Sequence, residues 1–140
     1  ISEIGTMSWS KIKNEIAKCE LLCENCHQEY HFIKNINPDY FRRKSKEIYL
    51  EYRGLKCKEC SYDKSVASLT FHHRNKENKI FNIANINKRI QSVSDLDIII
   101  IDELEKCDIL CFNCHREVHV DKERFNKYIK QIYKKVSLIF

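Results

Sequence analysis

Six of the eight cysteines fall into three Cys-x-x-Cys pairs: Cys23/Cys26, Cys57/Cys60 and Cys111/Cys114. A gap of two residues lets both thiolates of a tight turn face one tetrahedral ion, so the spacing predicts zinc binding. The last two pairs together would close a four-thiolate zinc site, which folds a small domain and does no chemistry itself. Disulfides or free thiols are the alternative, and no secretory signal is visible upstream to favour disulfides.

Four histidines lie close in sequence to the last two cysteine pairs and have the chemistry of a hydrolytic site. His72 and His73 are adjacent in a predicted strand, while His115 and His119 are four residues apart on one face of a predicted helix. Phosphodiester hydrolysis needs a base that activates water and a divalent ion that holds the phosphate. Each histidine alone fits a zinc-ligating or surface role, but two pairs interleaved with cysteines favour a catalytic site.

A sequence repeat relates the two ends of the chain at a constant offset of 88 residues. Residues 15–31 read EIAKCELLCENCHQEYH and residues 103–119 read ELEKCDILCFNCHREVH, with ten of 17 positions identical. Identity this dense and gapless predicts one structural unit that is used twice. A further cysteine pair and the adjacent histidines precede the second copy alone, so only that copy has the parts of a complete site.

The first copy has no strand-end histidine pair and is not expected to be an active site by itself. Three arrangements remain open for it. It is the surviving half of a truncated two-module protein, which we favour because the chain starts at Ile1 and not at methionine. Alternatively, two chains dimerise by sharing one zinc between two Cys23/Cys26 pairs, or Cys19 and a histidine complete a local zinc site.

Helices are predicted around the first cysteine pair and ahead of the second. Ser10 is expected to cap a helix from Lys11 to about Lys18, and a second helix is expected to start near Asn25 after the cysteine turn. The segment FRRKSKEIYLEY, residues 41–52, predicts a further helix, and Gly54 supplies its stop.

The second half of the chain predicts a strand followed by helices. Residues 67–72 (ASLTFH) have a short extended pattern, whereas residues 82–87 are ambiguous. Ser94 with Asp97 resembles a capping arrangement for a helix through IIIIDELEK, although four consecutive isoleucines also permit a strand. A terminal helix is expected to pack through one apolar face, which consists of Phe125, Tyr128, Ile129, Ile132 and Val136.

Length and composition favour one ordinary domain, or two very small ones. The chain has 140 residues, 43% of them hydrophobic, with only two glycines and one proline. Its net charge of +5 suits a polyanionic partner such as DNA. No apolar run is long enough to span a bilayer, so we expect no membrane partner and a cytoplasmic location.

The stretch from CKEC through FHH to LCFNCHREVH resembles the His-Asn-His, or ββα-metal, endonucleases, in particular small phage and bacterial members with two cysteine knuckles. Its layout is also similar to that of the phage recombination endonuclease VII. The resemblance covers residues 41–119 and implies a metal-dependent endonuclease that acts on DNA. It also implies a ββα-metal module of the α+β class whose four-cysteine site holds a structural zinc, and a protein that acts in a bacterial cell or a phage-infected host.

By this resemblance, His72 binds the catalytic divalent ion and His73 is the general base. His115 is the second ligand of the ion, and His119 matches a helix position that colicin-type nucleases use for the ion or the phosphate. Mg²⁺, Mn²⁺, Ni²⁺ and Zn²⁺ are all candidates for this ion, although an all-histidine shell fits Mg²⁺ less comfortably than the other three.

The resemblance also divides the chain into three regions. Residues 1–37 form a partial repeat that is not catalytic alone, residues 38–120 form the complete nuclease module, and residues 121–140 form a C-terminal helix that packs on it. One active site per chain predicts nicking by a monomer and double-strand cutting by a homodimer.

The chain departs from the family pattern at the middle asparagine, whose place Lys106 occupies. Asn82 or Asn113 is a possible substitute, with Asn113 hydrogen-bonding inside the knuckle. Arg116, next to the proposed ion ligand His115, is expected to contact phosphate. The predicted helix carries further basic residues, for which two roles are equally open. They contact phosphate, or they form a solvated helix face that acidic residues balance. These residues are Arg42, Arg43, Lys44, Lys46 and Arg53.

A zinc-knuckle protein that binds nucleic acid without cutting it is the main alternative function. The adjacent histidines His72 and His73 discriminate between the two, because a binding knuckle has no need of a base beside an ion. A purely structural zinc scaffold is a weaker alternative, since it leaves the histidine pairs and the basic balance without a role.

Overall fold

The computed structural model describes residues 8–34, 40–86 and 91–136, and within these ranges the chain has a mixed α+β fold, as predicted. The helices are α1 (Trp9–Ile16), α2 (Glu24–Lys34), α3 (Tyr40–Arg53), α4 (Ile98–Glu105), α5 (Phe112–His119) and α6 (Lys122–Val136). The strands of the one sheet found there are β1 (Leu69–His73) and β2 (Cys107–Cys111). Short 3-10 turns occupy Val66–Ser68, Ile83–Asn85 and Val93–Asp95.

The sheet and α5 form one continuous unit that carries most of the predicted site. β1 runs antiparallel to β2, with Leu69 opposite Cys111 and His73 opposite Cys107. α5 follows β2 directly. Cys111, the last residue of β2, is the N-cap of α5, since its sulfur accepts a hydrogen bond from the backbone N–H of Cys114. The strand predicted over residues 67–72 is real but starts at Leu69, since a 3-10 turn comes first.

Two buried clusters hold α3 and α4 against this unit, and α3 contributes to both. Branched aliphatic side chains with few polar atoms dominate the two clusters, as expected for a small core. One cluster consists of Ile48, Tyr49, Ile83, Ile100, Leu104 and Cys107. The other consists of Leu50, Cys57, Leu69, Ile109, Leu110 and Cys111.

The isoleucine-rich segment forms α4 and not a strand. Asp97 caps this helix by accepting a hydrogen bond from the backbone N–H of Ile100. The helix is therefore confirmed, but the predicted capping arrangement of Ser94 with Asp97 is wrong, because Asp97 itself is the N-cap. A separate capping box joins Ser92 and Asp95 in the preceding 3-10 turn.

The other predicted helix ends agree with the structure to within a few residues. α1 starts at Trp9 with Ser8 at the N-cap, so the prediction that Ser10 caps this helix is wrong. α2 starts at Glu24, one residue before the predicted start. Gly54 ends α3 as predicted, and its φ of 103° lies in the region that favours glycine.

The terminal helix α6 forms where it is predicted, but its apolar face does not pack as expected. Phe125 and Tyr128 are more than half exposed, and Ile132 is also exposed. The helix is amphipathic, yet the part of the chain that the structure describes does not cover these apolar side chains. Neither α6 nor any other helix in the described ranges is long and apolar enough to cross a membrane.

Candidate metal centres

Four cysteines from two parts of the chain meet where α5 begins. Cys57, Cys60, Cys111 and Cys114 place their sulfurs within 4.8 Å of one another. The sulfurs of Cys60 and Cys111 are 3.7 Å apart, close to the separation of about 3.8 Å between two sulfurs on one tetrahedral zinc. The predicted grouping is therefore confirmed, and the four cysteines could hold a metal ion such as zinc.

Backbone donors and crowding give these sulfurs the electrostatics of a cation site. Burial opposes ionisation of Cys57, but the N–H groups of Cys60 and Cys111 donate to its sulfur and hold its pKa at about 7. Burial and the neighbouring sulfurs raise the pKa of Cys114. Because four close thiolates repel one another, they ionise together only around a positive charge, and the cluster therefore fits a divalent ion.

Three of the four predicted histidines form a second group beside α5. His72, His115 and His119 each bring one ring nitrogen within 4.8 Å of the other two. The ring centroids are 5.3 Å apart for His72 and His115, 5.1 Å for His72 and His119, and 4.7 Å for His115 and His119. His119 is exposed and the other two are partly buried, so the group is open on one side.

The surroundings of two members of this histidine triad favour neutral imidazoles. Burial lowers the pKa of both His72 and His115, so both rings are able to coordinate a metal near neutral pH. Asp108 lies opposite His72 in the ladder but is held by Lys58 at 2.7 Å and by Arg74 at 3.0 Å. Among the described residues, the ligand group thus consists of histidines alone.

His73 lies outside the triad and is bound to a buried carboxylate. It follows His72 on β1, so its side chain faces the other side of the strand. There its Nε2 lies 2.8 Å from Oε1 of Glu103, which is fully buried on α4. With Glu103 ionised, Nε2–H of His73 is the donor in this contact, and Nδ1 is on the other side of the ring.

Glu103 stays ionised because several donors converge on it. Burial opposes its ionisation, but hydrogen bonds from Lys106, from the backbone N–H of Ile80 and from His73 hold its pKa at about 2. Lys106 Nζ lies 2.9 Å from Oε2, on the side of the carboxylate away from His73. The sequence motif identified Lys106 only as the residue in place of the middle asparagine, and it predicted no role for Glu103.

A cavity of about 330 Å³ borders His73. Tyr49 and Phe71 give it an apolar wall, and Arg42 and Lys46 add positive charge. The side chain of His73 is only 9% exposed, but the cavity opens beside it. Water therefore has a route to the side of β1 that carries His73.

The two asparagines considered as substitutes for the middle asparagine have other partners. Asn82 Oδ1 accepts a hydrogen bond from the N–H of Ala84 and caps a 3-10 turn, although Asn82 also borders the cavity beside His73. The side chain of Asn113 bonds to the first copy of the repeat and not, as predicted, inside its own knuckle: its Oδ1 accepts from the N–H of Asn25. Neither residue makes the contact to His73 that Glu103 makes.

Several of the basic residues proposed for phosphate contact are engaged within the protein. Arg43 donates to the carbonyl of Phe32 and lies over its ring, with 4.4 Å between the guanidinium carbon and the ring centroid. Lys46 donates to the carbonyl of Ala67, and burial lowers its pKa to about 8. Arg53 pairs with a glutamate at the end of α4 at 2.6 Å. These three side chains therefore have structural roles.

The two copies of the repeat meet at the start of α2 and α5. The N–H of Asn25 donates to Oδ1 of Asn113 at 3.4 Å, and the N–H of Asn113 donates to Oδ1 of Asn25 at 3.2 Å. The two asparagines are equivalent in the repeat, so the contact has approximate twofold symmetry. Arg116, predicted to contact phosphate, forms an ion pair with Glu24 at 2.9 Å while its side chain stays 68% exposed.

The first cysteine pair stands apart from both metal groups. The sulfurs of Cys23 and Cys26 are 3.4 Å apart and both residues are exposed. No third cysteine, histidine or carboxylate of the described residues joins them within the reach of one ion. The alternative in which Cys19 and a histidine complete a local zinc site is therefore wrong for the described part of the chain.

Comparison with known proteins gave no match: no protein-family model, curated protein or solved structure is significantly similar to this chain.

Proposed function

We propose that this protein is a metal-dependent endonuclease of the His-Asn-His, ββα-metal type that hydrolyses phosphodiester bonds of DNA. The convergence of His72 with His115 and His119 on a strand–strand–helix unit carries the proposal. The cysteine cluster supports it, because a four-thiolate zinc leaves no open coordination position and serves only to hold the unit together. The histidine triad, in contrast, leaves positions free for water or phosphate.

A divalent ion at the triad would supply charge stabilisation for the phosphate and the leaving oxygen. His72, His115 and His119 would hold it through one ring nitrogen each. A ligand set of three imidazole nitrogens favours Mn²⁺, Ni²⁺ or Zn²⁺ over Mg²⁺. The open side next to the exposed His119 is where the substrate would approach.

In this proposal His73 is the general base. His73 is the last residue of β1 and faces away from the triad, so a phosphate would have to reach both sides of the strand at its end, with the ion at the triad on one side and Nδ1 of His73 on the other. There Nδ1 would take a proton from the attacking water molecule. Glu103 would stabilise the imidazolium that results, because its carboxylate already accepts from Nε2. The Glu103–Lys106 pair would thereby do the bracing that the family assigns to its middle asparagine.

DNA is the proposed substrate on two grounds. The chain has a net charge of +5, which attracts a polyanion, and the motif resembles that of DNA endonucleases. Arg116 adjoins His115 and is mostly exposed, so it could exchange its ion pair with Glu24 for a phosphate.

Cleavage of supercoiled plasmid by three single-histidine variants tests this function. With Mn²⁺ present, His73→Ala should lose cleavage at least about 100-fold while keeping normal metal content. His115→Ala should lose both cleavage and the ion of the triad. His27→Ala is the matched control, because His27 is the equivalent of His115 in the first copy, and it should cut like the wild type.

Two results would contradict the proposal. Cleavage by His73→Ala at the wild-type rate would remove the base assignment. Retention of cleavage by His115→Ala would separate the activity from the histidine triad altogether.

A zinc-knuckle protein that binds nucleic acid without cutting it is the second candidate. The observation that favours it is the contact between His73 and buried Glu103, since a histidine held in this way could serve the fold alone. Retarded migration of a DNA fragment in a gel, with no cleavage in Mn²⁺, Ni²⁺, Zn²⁺ or Mg²⁺, would select this function.

A further inference from the structure

The cysteine turn of the first copy of the repeat is folded like that of the second, although the first copy lacks the second copy's partners. In the cysteine turns, the N–H of Cys26 lies 3.5 Å from the sulfur of Cys23, and the N–H of Cys114 lies 3.5 Å from the sulfur of Cys111. The helix ends before the turns also agree: the first cysteine of each copy donates its S–H to the carbonyl four residues earlier, at 3.3 and 3.4 Å. The first copy is therefore a preformed half of a zinc site.

The apolar side chains beside this half-site are uncovered. Ile109 and Leu110 of the second copy are 5% and 2% exposed, because β1 and α3 pack against them. Their equivalents Leu21 and Leu22 are 101% and 38% exposed. Residues 19–23, which correspond to β2, belong to no strand. Exposed aliphatic side chains at positions that are buried in the other copy mark a surface for association.

The cysteine pair itself is two ligands short of a tetrahedral zinc. The sulfurs of Cys23 and Cys26 are 3.4 Å apart, which is too far for a disulfide of about 2.0 Å and close to the separation of about 3.8 Å on one zinc. The two neighbouring cysteine pairs already form their own cluster, and no other ligand in the described ranges reaches this pair. The missing ligands must come from elsewhere.

We propose that two copies of this chain share one zinc ion between their Cys23/Cys26 pairs. A twofold axis through the ion brings two identical pairs together, and the resulting four thiolates close a tetrahedral site. The same axis lets the exposed Leu21 and Leu22 of each chain bury one another. A second copy of the chain supplies both the two missing thiolates and an equal apolar surface.

The deciding experiment compares the full zinc-loaded chain with a Cys23→Ser/Cys26→Ser double variant by light scattering and elemental analysis. The wild type should be a dimer, and the double variant should be a monomer that has lost about half a zinc ion per chain. Cys19→Ser is the control: Cys19 is exposed and lies outside both metal groups, so neither quantity should change.

If the wild type is a monomer and the double variant binds one whole zinc ion fewer per chain, the site lies within one chain and the proposal is overturned. Unchanged zinc content in the double variant would mean free thiols and would overturn it as well. Both measurements are made without DNA, so the outcome is independent of whether the histidine triad is a nuclease site.

A second variant tests the apolar contact without touching a ligand. Leu21 is fully exposed within one chain, so Leu21→Asp should leave the helical circular dichroism of the monomer unchanged. It should raise the dissociation constant of the dimer by at least about tenfold, because burial of a leucine is lost and two carboxylates meet. Ile98→Asp, at an exposed position of α4, is the control. Equal dimer affinity for both variants would contradict the proposed contact.

Discussion

Glu103 is the residue on which the environment of His73 depends. Its carboxylate is fully buried and accepts hydrogen bonds from His73, from Lys106 and from two backbone N–H groups. Burying a carboxylate without such donors is unfavourable, so the donors and the charge have to be kept together. Glu103 therefore fixes the ring of His73 and also ties α4 to β1.

We expect Glu103→Gln to weaken both the fold and the proposed activity. The amide retains the shape but loses the charge that pairs with Lys106, which should cost on the order of 2 kcal/mol in the free energy of unfolding. Cleavage should fall about 10- to 100-fold because the neutral amide no longer stabilises the imidazolium that forms on His73. Urea unfolding and plasmid cleavage measure the two effects.

Asp102→Asn is the matched control for this change, since Asp102 is its exposed neighbour on α4. Its stability and cleavage should remain those of the wild type. If Glu103→Gln unfolds and cleaves like this control, Glu103 has neither role.

The sequence predicted the cysteine cluster but not Glu103, for a physical reason. The two-residue gap inside each cysteine pair determines the local geometry of that pair. Each pair supplies two of the four ligands of a tetrahedral zinc, so the pairs that begin at Cys57 and Cys111 could be assigned to one site. The role of Glu103 depends on how α4 packs against β1, and His73 lies 30 residues away along the chain. A signal was available, because Glu103 shares an apolar helix face with Ile100 and Leu104.

At the level of elements, the sequence predicted the helices better than the contacts between them. α2, α3 and α4 follow from capping residues and helical periodicity, which are local properties. The packing expected for α6 is not found, because periodicity shows that a face is apolar but not what covers it. The contact between α2 and α5 was also not predicted, since it pairs Asn25 with Asn113 across the two copies of the repeat.

This contact between the copies can be measured by a double-mutant cycle. Asn25→Ala and Asn113→Ala each remove one side-chain acceptor, and each should lower the free energy of unfolding by about 1 kcal/mol. The double variant should lose less than the sum, because either change loosens the same helix–helix contact. Asn126→Ala, at an exposed position of α6, is the control and should be neutral. Strictly additive effects would mean that the two asparagines do not form one contact.

At the scale of the whole molecule, the repeat predicts a unit used twice, and the structure gives its two copies different surroundings. The second copy completes a cysteine cluster and a histidine triad with residues from β1 and from the turn after α3. The first copy keeps the fold of the turn but leaves its cysteines and leucines exposed. Sequence identity determines the local fold of both copies, whereas burial depends on the segments that precede each of them.

The two candidate metal groups should separate when metal is removed stepwise from the whole protein. The histidine triad has three ligands and none of them is buried, whereas the cysteine cluster has four, of which Cys57 and Cys111 are buried and only Cys60 is exposed. EDTA should therefore strip the triad first and abolish cleavage while the cooperative thermal melt persists, and a mercurial reagent should then release zinc and collapse the melt. Cys57→Ser should reproduce the second step by losing about one zinc per chain, with Cys19→Ser unaffected. A cooperative melt with normal zinc in Cys57→Ser would show that the cluster does not hold the fold together.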